Sequence, residues 1–182
     1  LTGPPLPAAQ PGFVHKLIEV QARETPHAPA LITATETITY QELRRRAAQL
    51  AAALSTRGAG PGDNIGLVMD RRPDAIIAML AALQAGCAYA PIDPEFPPQR
   101  IADILHDLNA PLAVTVSEFE QRIAAAAPET PVLAMDKLDV TEPTEVSETT
   151  RADDPAYILF TSGSTGAAKG VIVTHGNLAF ST

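Results

Sequence analysis

Between residues 156 and 175 the sequence sets a loop of glycines, hydroxyls and one lysine between two β-rich apolar runs, Ala156 to Phe160 and Val171 to Thr174. Gly163, Gly166 and Gly170 let a backbone approach an anion closely and adopt positive φ. Successive N–H groups in such a loop form a concave donor nest. Thr161, Ser162, Ser164 and Thr165 add hydroxyl donors, and Lys169 adds a mobile positive charge. The chemistry these types suit is phosphate binding. The spacing is not that of a Walker A loop, because Lys169 follows Ala168 and is followed by Gly170 and a strand rather than by Ser or Thr and a helix. Clusters of Gly, Ser and Thr also serve as plain turns, and composition by itself leaves both readings open.

Other noticeable residues point to structure. Cys87 lies in an apolar run and reads as a small core residue rather than a reactive thiol. Arg44 to Arg46 read as the solvated face of a helix. His175, just past the second run, suits capping or packing better than acid–base work. Asp93 and Arg100 are expected to cap a helix and pack, and Asp153-Asp154 to solvate a loop, although carboxylates there could in principle bind a metal.

These residues must be positioned by the elements around them. Leu1 to Pro11 is proline-rich without periodicity and reads as a linker, so residues 1–11 are set apart from 12–182. Phe13, Leu17, Val20 and Glu24 predict one stripe of a helix that ends at Thr25-Pro26. Ala30 to Ile32 and Glu36 to Thr39 read as a strand pair. Thr39 with Glu42 forms a capping box for a helix with Tyr40, Leu43, Ala47, Leu50 and Leu54 inward and Gly58 at its end. Asn64 to Met69 reads as a strand. Pro73 opens a helix over Asp74 to Ala85 that is apolar nearly all round and stops at Gly86. Cys87 to Ile92 predicts a buried strand, and Pro97-Pro98 a helix with Ile101, Leu105 and Leu108 inward. Leu112 to Val116 and Val132 to Met135 predict two more strands. Ser117 and Glu120 suggest a second capping box on the helix between them. Asp136 to Pro155, acidic and without a period, reads as a surface loop. Strands alternating with helices of this length specify an α/β fold with a mainly parallel sheet and flanking helices.

The 182 residues are 46% hydrophobic and 19% charged, with a net charge of −8, which fits a soluble globular chain and argues against a general nucleic-acid or membrane-surface binder. One cysteine excludes an internal disulfide and fits a reducing cytoplasm. The longest apolar stretch, Ala75 to Leu83, is of core-helix size. The first residues carry no signal-peptide pattern and no initiator methionine, so the chain reads as excised from something longer.

Phe160 to Gly170 closely resembles the signature of the adenylate-forming superfamily, Tyr-Thr-Ser-Gly-Ser-Thr-Gly-x-Pro-Lys-Gly, with Phe for the first Tyr and Ala168 where Pro is usual. Ile38-Thr-Tyr-Gln-Glu-Leu43 looks like the first core motif of that family. Leu83 to Ile101, through Ala88, Pro94 and Arg100, is similar to the second, in the form found in adenylation domains of nonribosomal peptide synthetases. The opening Leu-Thr-Gly-Pro-Pro and the helix after it resemble the linker between a condensation and an adenylation domain. The resemblance implies a partial N-terminal core of the adenylate-forming fold, truncated after the phosphate loop. It also implies a parent enzyme that uses ATP and Mg²⁺ to form an aminoacyl adenylate and load a phosphopantetheine carrier protein. Thr161, Ser162, Gly163, Ser164, Thr165, Gly166, Lys169 and Gly170 would hold the β- and γ-phosphates. The Mg²⁺ ligands, the ribose-binding Asp, most of the amino-acid pocket and the catalytic lysine would lie outside this chain. The implied partners are the rest of the domain, an upstream condensation domain, the carrier and an amino acid. Two alternatives stand beside this reading: a fragment of an acyl- or aryl-CoA ligase, and a non-catalytic packing or docking piece.

Overall fold

The computed structural model describes residues 12–138, 150–162 and 168–179. Its main feature is a six-stranded sheet built from β3 (Asn64–Val68), β4 (Ala88–Ile92), β5 (Ala113–Thr115), β6 (Val132–Ala134), β7 (Pro155–Ser162) and β8 (Ala168–Thr174). The order across it is β6-β5-β3-β4-β7-β8. Every neighbouring pair is parallel except the last, an antiparallel β7–β8 hairpin. A separate antiparallel pair, β1 (Pro29–Ile32) with β2 (Thr37–Thr39), leads into α2 (Tyr40–Thr56). The expected α/β class with a mainly parallel sheet is what the chain adopts.

Parallel strands need crossovers, and helices supply those from β3 through to β6. The period-two alternation of β3 divides the core. Ile65, Leu67 and Met69 pack with Leu50 and Leu54 of α2 and Ala78, Ala81 and Ala82 of α3 (Pro73–Gln84) on one face. Val68 packs with Ile101, Ile104 and Leu105 of α4 (Pro98–Asp107) and Ile123 of α5 (Ser117–Ala126) on the other. Leu54, Ile65 and Ile77 have no exposed surface, and full burial of such a side chain contributes about 1.5–3 kcal/mol. The all-round apolar helix expected after Pro73 is explained by α3 packing into two clusters at once.

Three local expectations change. α1 (Val14–Glu24) forms, but Leu17 and Val20 are 44% and 47% exposed, while His15 and Ala22 are buried. The helix packs through the His15–Ile18–Ala22 face, because Ile18 joins the cluster of Leu43, Ala47 and Ile77. At α2 only one half of the capping box appears: the Thr39 hydroxyl accepts the Glu42 N–H at 3.3 Å. The Glu42 carboxylate is drawn away by Arg45 at 2.7 Å and Arg46 at 2.5 Å. Those hydrogen bonds, Arg45 first, hold the Glu42 carboxyl down at about 2. At α5 the Ser117–Glu120 box is absent. Val116 is the N-cap, the Ser117 N–H donates to Asp136 Oδ1 at 2.8 Å, and the Ser117 hydroxyl donates to Asp136 Oδ2. Burial would raise the Asp136 carboxyl, but the Ser117 donors outweigh it and lower it. Glu120 pairs with Lys137. The predicted loop from Asp136 therefore starts as a short 3-10 turn, Met135–Lys137, that caps the neighbouring helix. Residues 139–149 of that loop, and the linker 1–11, lie outside the described residues.

Gly58 and Gly86, expected as helix stops, sit at φ +86° and +76°. A Cβ at Gly86 would also lie 3.2 Å from the Pro61 Cα. Left-handed backbone costs an L-residue roughly 1–2 kcal/mol. Gly86→Ala is expected to lower the stability of the chain by about that amount or more, read as a lower urea midpoint with an unchanged m-value. The β8 edge has no further strand beside it among the described residues, and Leu159, Val171 and Ile172 on this hairpin are 42–59% exposed. The isolated 182-residue chain is expected to associate or melt over a broad range; a clean monomer in light scattering with one sharp transition would contradict this.

Candidate functional site

The glycine- and hydroxyl-rich loop closes the β7–β8 hairpin. Thr161 and Ser162 end β7, and Lys169 and Gly170 lie near the start of β8. Thr161 stands opposite Lys169 and Ser162 opposite Ala168, so the two strand ends are paired up to those residues. Gly163, Ser164, Thr165 and Gly166 lie outside the described residues.

Gly170 needs a separate explanation. It was expected to take positive φ, yet it is an extended strand residue opposite Phe160. A Cβ there would come within 3.0 Å of Ile158 Cγ2 and 3.5 Å of the Phe160 ring. Cross-strand packing leaves a side chain there little room unless Ile158 gives by a few tenths of an ångström.

The hairpin is seated by β7. Ala156 and Ile158 are buried, and Ile158 and Phe160 pack against the α4–α5 cluster. On the opposite face Tyr157 pairs with Tyr89 of β4, their rings stacked at 5.7 Å and 26°. Burial, followed by the nearby Tyr157, pushes the Tyr89 hydroxyl up to about 12. The foot of β8 is fixed too. The His175 N–H donates to the Asp154 carbonyl at 3.0 Å, and the Gly176 N–H to the Ala152 carbonyl at 2.7 Å. His175 begins α6 (His175–Ala179) and is buried, with its ring edge-on to Phe13 and His15. Packing is its role, as its position suggested. Neither tyrosine nor His15 stood out as a site residue in the sequence. Pairing register, which brings Tyr89 to Tyr157, is the signal that a single sequence lacks.

The remaining candidates are structural. Asp93 caps a turn rather than a helix, accepting the Glu95 N–H at 2.8 Å. Asp154 accepts the Arg151 N–H at 2.7 Å. Among the described residues no three of His, Cys, Asp and Glu come together in a way that could hold a metal ion, and no helix is long and apolar enough to cross a membrane.

With this geometry in view, the comparisons with known proteins decide the family. The sequence profile of the AMP-binding enzymes matches residues 18–182. The chain belongs to the AMP-binding enzyme family. Over 162 residues it is 41% identical to tyrocidine synthase 3 of Brevibacillus parabrevis, covering 89% of this chain and 2% of the synthase. A crystal structure of the nonribosomal peptide synthetase FmoA3 with α-methyl-L-serine-AMP bound superposes with a TM-score of 0.85 at 33% identity, over 98% of this chain and 20% of that one. The fatty acyl-adenylate ligase of L. pneumophila, solved with acyl adenylate and pyrophosphate, gives a TM-score of 0.82 at 25% identity, over 92% and 31%. The chain spans a small part of each of these longer proteins.

Cys87 is fully buried, donates to the Gly60 carbonyl at 3.2 Å, and has its thiol pushed up to about 12 by burial and then by Asp63. The thiol form is therefore favoured in the fold. Cys87 is expected to resist alkylation in the native chain at pH 8 and to react fully in denaturant; rapid labelling without denaturant would contradict this.

Proposed function

We propose that this chain is the front part of an amino-acid-activating domain of a nonribosomal peptide synthetase, and that its β7–β8 hairpin clamps the β- and γ-phosphates of ATP. The observation that carries the proposal is the hairpin itself. A family member whose signature segment closes two paired strand ends, with Thr161 opposite Lys169 and Ser162 opposite Ala168, brings residues of the donor set from both strands to one end of the hairpin. That donor set suits a polyphosphate. Backbone N–H groups and hydroxyls supply directed hydrogen bonds, and Lys169 supplies charge in a chain whose net charge is −8.

In the reaction, an oxygen of the amino-acid carboxylate bonds to the α-phosphorus while the bond from that phosphorus to the bridging β-oxygen breaks. The products are an aminoacyl adenylate and pyrophosphate. Negative charge grows on the leaving pyrophosphate, and hydrogen-bond donors and the lysine charge among residues 161–170 stabilise it. A carrier thiol then takes the aminoacyl group and AMP leaves. Mg²⁺ would supply further positive charge to the phosphates, with its ligands outside this chain. Residues 1–11 are the linker from an upstream condensation domain in this reading. Relatives built as peptide synthetases, at 36–41% identity, favour an amino acid over a fatty acid as the substrate.

Amino-acid-dependent ATP–pyrophosphate exchange tests this on the complete domain. Exchange with at least one amino acid is expected, and Lys169→Ala is expected to reduce it about 10²-fold or more. Exchange with fatty acids alone, or a lysine variant as active as the parent, would overturn the proposal. The isolated chain is expected to show none, since the groups that complete the site must be held in one geometry.

A further inference from the structure

We infer that His15 and Phe13, at the N-terminal end of the first helix, are positioning residues for the glycine-rich hairpin, acting through the buried ring of His175. The inference rests on the reading of that hairpin as the phosphate clamp.

β8 is an edge strand whose neighbour among the described residues is β7. Its C-terminal end is locked at Thr174, whose hydroxyl accepts the Asn177 N–H at 3.3 Å and donates to Asn177 Oδ1 at 2.8 Å. The next residue, His175, is 2% exposed. Its ring meets Phe13 at 5.3 Å and 70°, and His15 at 5.6 Å and 83°. Phe13 and His15 lie nearly parallel at 6.0 Å. His15 is fully buried. These three rings join segments from the two ends of the chain.

The helix behind them does not float. Ile18 joins the core of α2 and α3, and Ala22 is buried one turn further on. The ring cluster therefore ties the foot of an otherwise one-sided strand to the main body. The hydrogen bonds from His175 and Gly176 to Asp154 and Ala152 fix the foot along the chain; the rings fix it against the helix layer. β8 then runs back over its seven residues from Thr174 to Ala168, about 20 Å at the extended rise per residue. A pleated, paired strand is stiff, so a shift at its foot reaches positions 168–170, where the clamp begins. Edge-to-face ring contacts of this kind change an equilibrium by about 2- to 12-fold when lost.

The test uses the complete adenylation domain and pyrophosphate exchange. His15→Ala is expected to raise the KM for ATP about 3- to 10-fold, with the KM for the amino acid within twofold of the parent. His15→Phe, which keeps a ring there, is expected to restore the ATP KM. A merely structural role would lower the melting temperature or the active fraction and move neither KM selectively. Phe13→Leu, at a half-buried position, carries the same expectation if His15→Ala does not fold. An ATP KM within twofold of the parent in the folded variant overturns the inference while the parent's exchange still stands. If the parent itself does not exchange, the clamp reading fails instead. The ring contact is then judged by hydrogen exchange in the variant: unchanged protection of residues 170–174 overturns it, and faster exchange there supports it.

Discussion

The hairpin that carries the glycine-rich loop is joined to the parallel sheet along the seam between β4 and β7, and that pairing decides where every later residue goes. The chain has by then wound outward through β5 and β6 on the far side of β3, so β7 must return across the molecule to lie beside β4. The return is secured by shape on two faces at once. Tyr157 stacks on Tyr89, while Ile158 and Phe160 enter the α4–α5 core. A slip of one residue would exchange those faces and put Leu159 into the core in place of Ile158. Parallel pairing over such a sequence separation costs loop-closure entropy before any contact repays it, so burial along β7 has to be substantial.

Much of this architecture was legible in the sequence because it rests on local signals. Pro73 and Gly86 bracket α3, Thr39 caps α2, and the alternation in β3 marks a strand with two buried faces. What was not legible depends on contacts between distant residues. The stripe expected on α1 follows residue type and spacing, which place Leu17 and Val20 on one face and do not single out Ile18. The helix instead rolls His15 and Ala22 inward, because His175 and the α2–α3 surface lie on that side. Likewise the Ser117 box had the right spacing, but Asp136 on the following turn offers two acceptors already held in place. A charge-assisted bond from the Ser117 hydroxyl to the Asp136 carboxylate outcompetes the neutral bond this hydroxyl would accept from the Glu120 N–H in a capping box.

The candidate site divides along the same line. Its residue types and order were evident at once, since glycines, hydroxyls and a lysine in that spacing are a chemical statement. The support beneath them was not. Gly170 reads as a phosphate glycine by composition, and in the hairpin it sits in an extended strand with Ile158 close across from it. Apolar surface left on Leu159, Val171 and Ile172 fits a chain that spans a small fraction of each longer relative.

The most direct measurement is amide hydrogen exchange across residues 161–170 in the complete domain, with ATP and with AMP. A clamp for the β- and γ-phosphates predicts slower exchange in this loop with ATP, and little change with AMP, which lacks those groups. Equal protection by both nucleotides, or none by either at saturation, would contradict the assignment of the hairpin to the leaving pyrophosphate.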